Sequence, residues 1–131
     1  MNWDEYCDKN RFYYPIKTSC EDVTAFDISR VYPLQQDNVK AAYNAIKDFD
    51  CIKRVVVFGS SITMKCTEHS DLDLCIELKN PGNVEDMCKV GAAIRDAVDC
   101  NVDILWRESL TIESPVLFTI RKGLIIYEQS S

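Results

Sequence analysis

The sequence predicts an α/β (α+β) fold, a single mixed β-sheet with helices packed on it. Segments with helical periodicity alternate with short β-branched runs across residues 37–128, which is the pattern of such a domain. The chain has 131 residues, which is enough for one domain with its own core. With 47% hydrophobic and 27% charged residues, its composition is that of a soluble globule.

The first half of this region contains one helix and two strands. An apolar stripe at helical spacing predicts a helix over about Asn38–Phe49, with Asp37 as its N-cap. The continuous β-branched run Ile52–Phe58 is typical of a buried strand. Hydrophobic and polar residues alternate over Leu72–Leu78, which predicts a second strand with one buried face.

The second half repeats the alternation of helix and strand. A turn at residues 81–83 precedes a helix that we expect to end near Val98, and Val102–Trp106 follows as a strand. Ser114 is then a cap with proline at the first helical position, and that helix stops at Lys122–Gly123. Leu124–Tyr127 is the last predicted strand.

Residues 1–36 form an aromatic-rich extension ahead of the domain at residues 37–131. A solvated tail would not be so aromatic, so the extension either packs on the domain or forms a surface for a partner. It contains seven of the 13 aromatic residues, which are Trp3, Tyr6, Phe12, Tyr13, Tyr14, Phe26 and Tyr32.

Charge and targeting signals exclude several classes of protein. The net charge is -6, and a protein that coats duplex nucleic acid needs a basic face, so such a partner is disfavoured. The first residues have no basic stretch followed by an apolar one, so we expect no signal peptide, and no apolar run approaches the ~18 residues that span a bilayer. The seven cysteines are odd in number and contain no C-x-x-C pair, which favours reduced thiols. We therefore expect a cytoplasmic protein without a membrane partner.

A glycine turn follows the first strand. Gly59-Ser60 comes directly after Phe58, and we expect a short helix over about Ser60–Lys65. A glycine turn between a strand and a helix leaves backbone N–H groups free, and these stabilise a phosphate anion. The Ser60 hydroxyl adds another donor. This turn is therefore a candidate phosphate-binding site.

Three aspartates are candidates for a metal site. Asp71 and Asp73 are two residues apart, so both carboxylates project from one face of their strand. Asp103 places a third carboxylate in an otherwise apolar strand, where burial would be costly without a cation or donors. If the two strands are neighbours, three acids face a phosphate-binding turn. Mg²⁺ prefers carboxylate and phosphate oxygens, so the pattern predicts a two-metal phosphoryl-transfer or nucleotidyl-transfer site.

The spacing of these residues resembles that of the nucleotidyltransferase superfamily of DNA polymerase beta type. Gly59-Ser60, ten intervening residues, Asp71-Leu72-Asp73 and the later Asp103 match its motif. Within the superfamily, residues 37–128 resemble the small stand-alone members called minimal nucleotidyltransferases (MNT).

The resemblance implies a reaction and a role for each matched residue. Gly59 and Ser60 would hold the terminal phosphates of a nucleoside triphosphate, which we expect to be ATP. Asp71 and Asp73 would bind both of two Mg²⁺ ions. Asp103 would bind the catalytic ion and help to deprotonate the acceptor hydroxyl. A nucleoside monophosphate would move to that hydroxyl, and pyrophosphate would leave.

The sequence departs from the family pattern just after the glycine turn. Many members have a basic residue and a glycine where this chain has Thr63 and Met64. Lys65 is one position further along and is our candidate for the missing charge. Ser61 and Ser70 are further candidates for contact with the nucleotide, although Ser70 also suits a cap on the turn before the strand.

Three functions remain open at this stage. The first is an active nucleotidyltransferase whose acceptor is a protein hydroxyl, a small molecule or an RNA end, presented by a partner or across a homo-oligomer interface. The second is an antitoxin-like module that binds a HEPN-type toxin, as small members of the family do. The third is a sensor that binds a nucleotide without turnover.

Overall fold

The computed structural model of the protein describes residues 13–129, which form a four-stranded mixed sheet with three α-helices. The strands are Ile52–Phe58 (β1), Leu72–Leu78 (β2), Val102–Trp106 (β3) and Leu124–Glu128 (β4). The helices are Pro33–Ile46 (α1), Val84–Ala97 (α2) and Pro115–Arg121 (α3). The predicted fold class is confirmed.

The sheet order is β3-β2-β1-β4, so β1 and β2 are its central strands. β1 pairs antiparallel with both β2 and β4, whereas β2 and β3 are parallel. A parallel pair needs a crossover connection, and α2 provides it. α2 begins at the predicted turn, where the Asn83 side chain accepts a hydrogen bond of 3.0 Å from the Asp86 backbone N–H.

The main core lies between the sheet and helices α1 and α2. Leu72, Leu74 and Ile76 alternate with polar residues along β2 and are at most 1% exposed, as the alternation predicts. They belong to one cluster with the apolar stripes of the two helices, which are Val39, Ala42 and Ile46 on α1 and Val90 and Ile94 on α2. This burial is the main stabilising term of the fold.

A smaller core lies on the opposite face of the sheet, under α3. Leu117 and Ile120 of α3 pack with Val56 and Phe58 of β1 and with Cys75 of β2. Cys75 lies two residues beyond Asp73, so α3 packs on the face of the sheet that carries this candidate ligand.

The segment ahead of α1 contributes to the main core. Cys20, Ile28 and Val31 are at most 2% exposed and belong to its cluster. The Gln36 side chain fastens the segment to α1, because its amide donates hydrogen bonds to the carbonyls of Pro15 (2.9 Å) and Val31 (3.0 Å). Tyr14 and Phe26 make edge-on contacts with Tyr32 and Tyr43, whereas Trp3, Tyr6 and Phe12 lie outside the described residues.

The first helix begins earlier than predicted. It starts at Pro33 with Tyr32 as N-cap, and it ends at Ile46 instead of Phe49. Proline suits the first helical turn because a backbone N–H at that position would have no partner within the helix, so its absence costs no hydrogen bond. Asp37 is therefore inside the helix, and its carboxylate accepts hydrogen bonds from the Ser19 hydroxyl (2.5 Å) and the Lys17 ammonium (3.3 Å).

Two further findings on the described residues concern membrane-spanning helices and cysteines. Within residues 13–129, none of the helices has the length and apolar character needed to cross a membrane. The six cysteines of this part of the chain are free thiols, and Cys20, Cys66 and Cys75 are buried.

Gly123 ends α3 for a reason other than the predicted glycine stop. Among the described residues, the glycines with positive φ are Gly59 and Gly82, so Gly123 does not use the left-handed conformation. A Cβ at Gly123 would lie 2.6 Å from Val56 Cγ1 and 2.6 Å from the Val57 carbonyl oxygen. The glycine is therefore needed because the backbone turns into β4 in direct contact with β1.

We expect Gly123→Ala to destabilise the fold by about 1–3 kcal/mol, because the rigid backbone of β1 cannot move away from the added methyl group. Gly91→Ala on α2 is the matched control. Its Cβ would meet the flexible end of Arg95 at 2.8 Å, and alanine favours the helix. Urea unfolding of both variants measures the difference. Equal stability of Gly123→Ala and wild type would contradict the close approach.

Candidate active site

Gly59 brings the end of β1 against the Asp73 carboxylate. Its φ is +78°, a conformation that favours glycine, and a Cβ there would lie 2.5 Å from Asp73 Oδ2. Phe58, the residue before it, is the register partner of Asp73 across the β1–β2 pair. The turn and the carboxylate therefore form a single cradle that any larger side chain at position 59 would fill.

The turn itself is shorter than predicted. Instead of a helix over Ser60–Lys65, one 3-10 turn covers Gly59–Ile62. The Ser60 carbonyl accepts hydrogen bonds from the backbone N–H (3.0 Å) and the hydroxyl (3.2 Å) of Thr63, and the chain then leaves the helical conformation. The predicted helix fails here because Thr63, with φ of -132°, is extended.

The serines near this turn occupy different environments. Ser60 is half-buried beside Gly59. The Ser61 side chain is fully buried, and its hydroxyl has no hydrogen-bond partner within residues 13–129. The Ser61 carbonyl accepts a hydrogen bond of 2.8 Å from the Tyr32 N–H. Neither the hydroxyl nor the carbonyl of Ser61 is therefore exposed to a nucleotide in this structure.

Lys65 and Ser70 lie on the loop between the turn and β2. Lys65 is exposed, with its N–H 3.2 Å from the Thr63 hydroxyl. Ser70 caps the loop, since its hydroxyl accepts a hydrogen bond of 2.8 Å from the Thr67 N–H. Its carbonyl accepts one of 3.0 Å from the amide of Gln35, a buried residue that sequence reasoning missed because the helix was expected to start later.

The three aspartates come from neighbouring positions of the sheet. Asp73 and Asp103 are direct register partners in the parallel β2–β3 pair, so their strands are adjacent and about 4.8 Å apart. Asp73 is half-buried, whereas Asp103 is exposed. Asp71 is exposed and lies just before β2. The strands that carry Asp73 and Asp103 are therefore neighbours, which is the condition under which the sequence brings the three acids together.

Burial and crowding make Asp73 the most perturbed acid of the site. Burial first, and then the negative charges of Asp103 and Asp71, together raise the pKa of its carboxyl to about 6. Three carboxylates that repel one another beside a glycine cradle offer hard oxygen ligands, which fit Mg²⁺. Within residues 13–129 no three acidic, His or Cys side chains are already arranged to hold an ion. Binding would therefore require rotation of the exposed Asp71 and Asp103 side chains.

Two other polar residues near the acids have structural partners. His69 is exposed and lies 3.4 Å from Glu68. Glu77, which alternation places on the Asp73 face, contacts Lys53 (3.6 Å) and Arg54 (3.8 Å). Since β2 is a central strand, Glu77 does not lie at an edge of the sheet.

These features define a nucleotidyltransferase-type domain. A family model described as "Polymerase beta, Nucleotidyltransferase" matches residues 35–131, which is most of the chain. The chain belongs to this nucleotidyltransferase family.

A solved structure has the same fold. It is the rebuilt and re-refined structure of tri-AMPylated Shewanella oneidensis HEPN toxin in complex with MNT antitoxin. The similarity has a TM-score of 0.51 and 19% sequence identity, and it covers 72% of this chain and 73% of that chain. At this identity the similarity shows the shared fold. None of the curated proteins matches the chain.

The raised pKa of Asp73 predicts a stability effect with a definite sign. The folded-state pKa of about 6 exceeds the ordinary value of 3.8, so the folded chain holds a proton that the unfolded chain has released. Ionisation of Asp73 therefore lowers stability as pH rises from about 4 through 6. Two pKa units correspond to at most ~3 kcal/mol, and water screens part of this at a half-buried carboxylate.

Near neutral pH and without metal, we expect the free energy of unfolding of Asp73→Asn to exceed that of wild type by about 1–2 kcal/mol. Below about pH 4 we expect the two to be equally stable. Urea unfolding in EDTA at both pH values measures this. Asp96→Asn, on the exposed side of α2, is the control and should change little. A gain for Asp73→Asn that persists at acid pH would contradict the electrostatic cause.

Proposed function

We propose that this protein is a Mg²⁺-dependent nucleotidyltransferase that moves a nucleoside monophosphate, AMP from ATP, to a hydroxyl and releases pyrophosphate. One observation carries the proposal. The half-buried Asp73 lies opposite Asp103 and against the Gly59 turn, so acids and phosphate-binding backbone meet at one point. Such crowding destabilises the fold unless a ligand compensates it, which is common at functional sites.

The roles of the residues follow from their positions and from the family resemblance. The Gly59-Ser60 backbone binds the terminal phosphates, where the absence of a Cβ allows close approach. Asp71, Asp73 and Asp103 hold two Mg²⁺ ions, which when bound supply positive charge to the phosphates. Asp103 also accepts the proton of the acceptor hydroxyl. The acceptor oxygen then bonds to the α-phosphorus while the bond to pyrophosphate breaks.

The acceptor we favour is a hydroxyl of a protein partner, a HEPN-type toxin. The structural neighbour is an MNT antitoxin in complex with a tri-AMPylated HEPN toxin. The described surface also offers exposed apolar side chains for a partner. Met64, on the loop after the glycine turn, is 66% exposed, and Phe118 on α3 is 54% exposed. A second copy of the chain is the alternative partner for this surface.

Thermal melting with Mg²⁺ and each of the four nucleoside triphosphates tests nucleotide binding. At a hundredfold excess over the dissociation constant we expect a stabilisation of about 2.7 kcal/mol that requires both metal and nucleotide, with ATP the most effective. Asp73→Asn should abolish this shift, and Asp96→Asn should retain it. No shift with any nucleotide, while the fold melts cooperatively, would overturn the proposal. A shift without pyrophosphate release in the presence of a partner would indicate a sensor.

A second test separates catalysis from simple partner binding. The test co-expresses this chain with a growth-inhibiting HEPN-type toxin from a neighbouring gene. We expect the wild-type chain to restore growth of the cells and Asp73→Asn not to restore it. The failure is expected because the acid is needed for the transfer, while Asp73→Asn still folds. Mass spectrometry of the partner should show added AMP with wild type only. If Asp73→Asn protects as well as wild type, binding alone neutralises the partner.

A further inference from the structure

A cavity of about 380 Å³ opens beside α3 on the face of the sheet that carries Asp73. It lies between the middle of β1 and β2, α3, and the residue that follows β3. Cys75 lines it from β2, two residues after Asp73, and Val56 lines it from β1, two residues before Phe58. At about 3.3 Å per strand residue, the cavity begins ~7 Å from the acids along the same face.

The cavity is positively charged in an acidic chain. Among the described residues, three arginines line it, Arg54, Arg107 and Arg121, against one carboxylate, Glu77. The chain as a whole has a net charge of -6. A cluster of guanidinium groups against this balance attracts anions and repels other cations.

Two of the arginines are available to a ligand. Arg54 is engaged by Glu128 at 2.6 Å and Glu77 at 3.8 Å. Arg107 is exposed and donates one hydrogen bond of 3.3 Å to the Leu110 carbonyl. Arg121 is exposed and takes part in none of the ion pairs within residues 13–129.

The arginines lie close to the cavity floor. Arg54 and Arg107 line the cavity together with the buried Cys75 of β2, which forms part of its floor. The floor beside Cys75 is aliphatic, with Val56, Leu117, Ile120 and the 46% exposed Ile125. Within residues 13–129 its lining includes no aromatic ring on which a nucleobase could stack.

We propose that this cavity binds an acidic side chain of the protein acceptor, two or three residues from the hydroxyl that receives the nucleotide. An extended peptide covers ~7 Å in two residues, so a hydroxyl at the acids and a carboxylate at the arginines are reached together. Guanidinium groups bind carboxylates in two-pronged geometry, and the aliphatic floor covers the methylene groups of the side chain. The role as an acceptor anchor depends on the function proposed above.

The test uses the whole chain and two capped tripeptides. One is tyrosine-alanine-glutamate and the other is its glutamine counterpart. Arginine Nε–Hε NMR signals are followed up to about 20 mM peptide without nucleotide or metal, a range that detects millimolar dissociation constants. We expect saturable shifts at Arg107 and Arg121 and about tenfold tighter binding of the glutamate peptide. The double variant Arg107→Gln/Arg121→Gln should bind both peptides equally weakly, while Arg95→Gln on α2 should bind as wild type.

The outcomes separate this inference from the proposed function. Equal binding of the two peptides by wild type, or unchanged binding by the double variant, would overturn the proposal that the cavity binds an acidic side chain. If the double variant instead loses the Mg²⁺–ATP melting shift, the arginines belong to the nucleotide site and the inference is wrong. Peptide discrimination in a chain that shows no nucleotide-dependent shift would retain the arginine-lined cavity as a carboxylate-binding site and overturn the transfer reaction.

Discussion

The approach of Gly59 to Asp73 is the constraint on which the rest of the site depends. It joins the phosphate-binding turn of β1 to the first acid of β2, and β2 in turn places Asp73 beside Asp103. No Cβ fits in this gap, so the strand pairing and the glycine are required together. The arrangement holds like charges close together and raises the pKa of Asp73 to about 6. The fold thus gives up stability at the point where a cation would restore it.

Much of the fold could be predicted because periodicity reports which face of an element is buried. The bounds of β1, β2 and β3 agree with the prediction, and α2 begins at its predicted cap. The start of α1 was missed because its first turn is polar, and its two glutamines are buried by contacts distant in sequence. The sequence also could not show why a glycine is needed at position 123, because its close contact is with a strand more than sixty residues earlier in the chain.

The site was predictable as a set of residues and less so as a geometry. The sequence left the adjacency of the strands that carry Asp73 and Asp103 as a condition, and the β2–β3 pairing meets it. The conformation after Gly59 could not be predicted, because a four-residue 3-10 turn and an α-helix have similar local propensities. The arginine cavity had no sequence signal. Its three guanidinium groups come from β1, from the end of β3 and from α3, and only the folded chain brings them together.

The order of the strands in the chain has a consequence for synthesis on the ribosome. β1 finds its partner β4 very late, since Arg54 and Glu128 are 74 residues apart. The pairing of β1, β2 and β3 that assembles the acids needs nothing beyond Trp106, whereas the arginine cavity also needs α3 and β4. A growing chain can therefore gather its carboxylates while one edge of β1 is still open. That edge of β1 stays unpaired until β4 is made, and a nascent chain in that state is exposed to unwanted edge pairing.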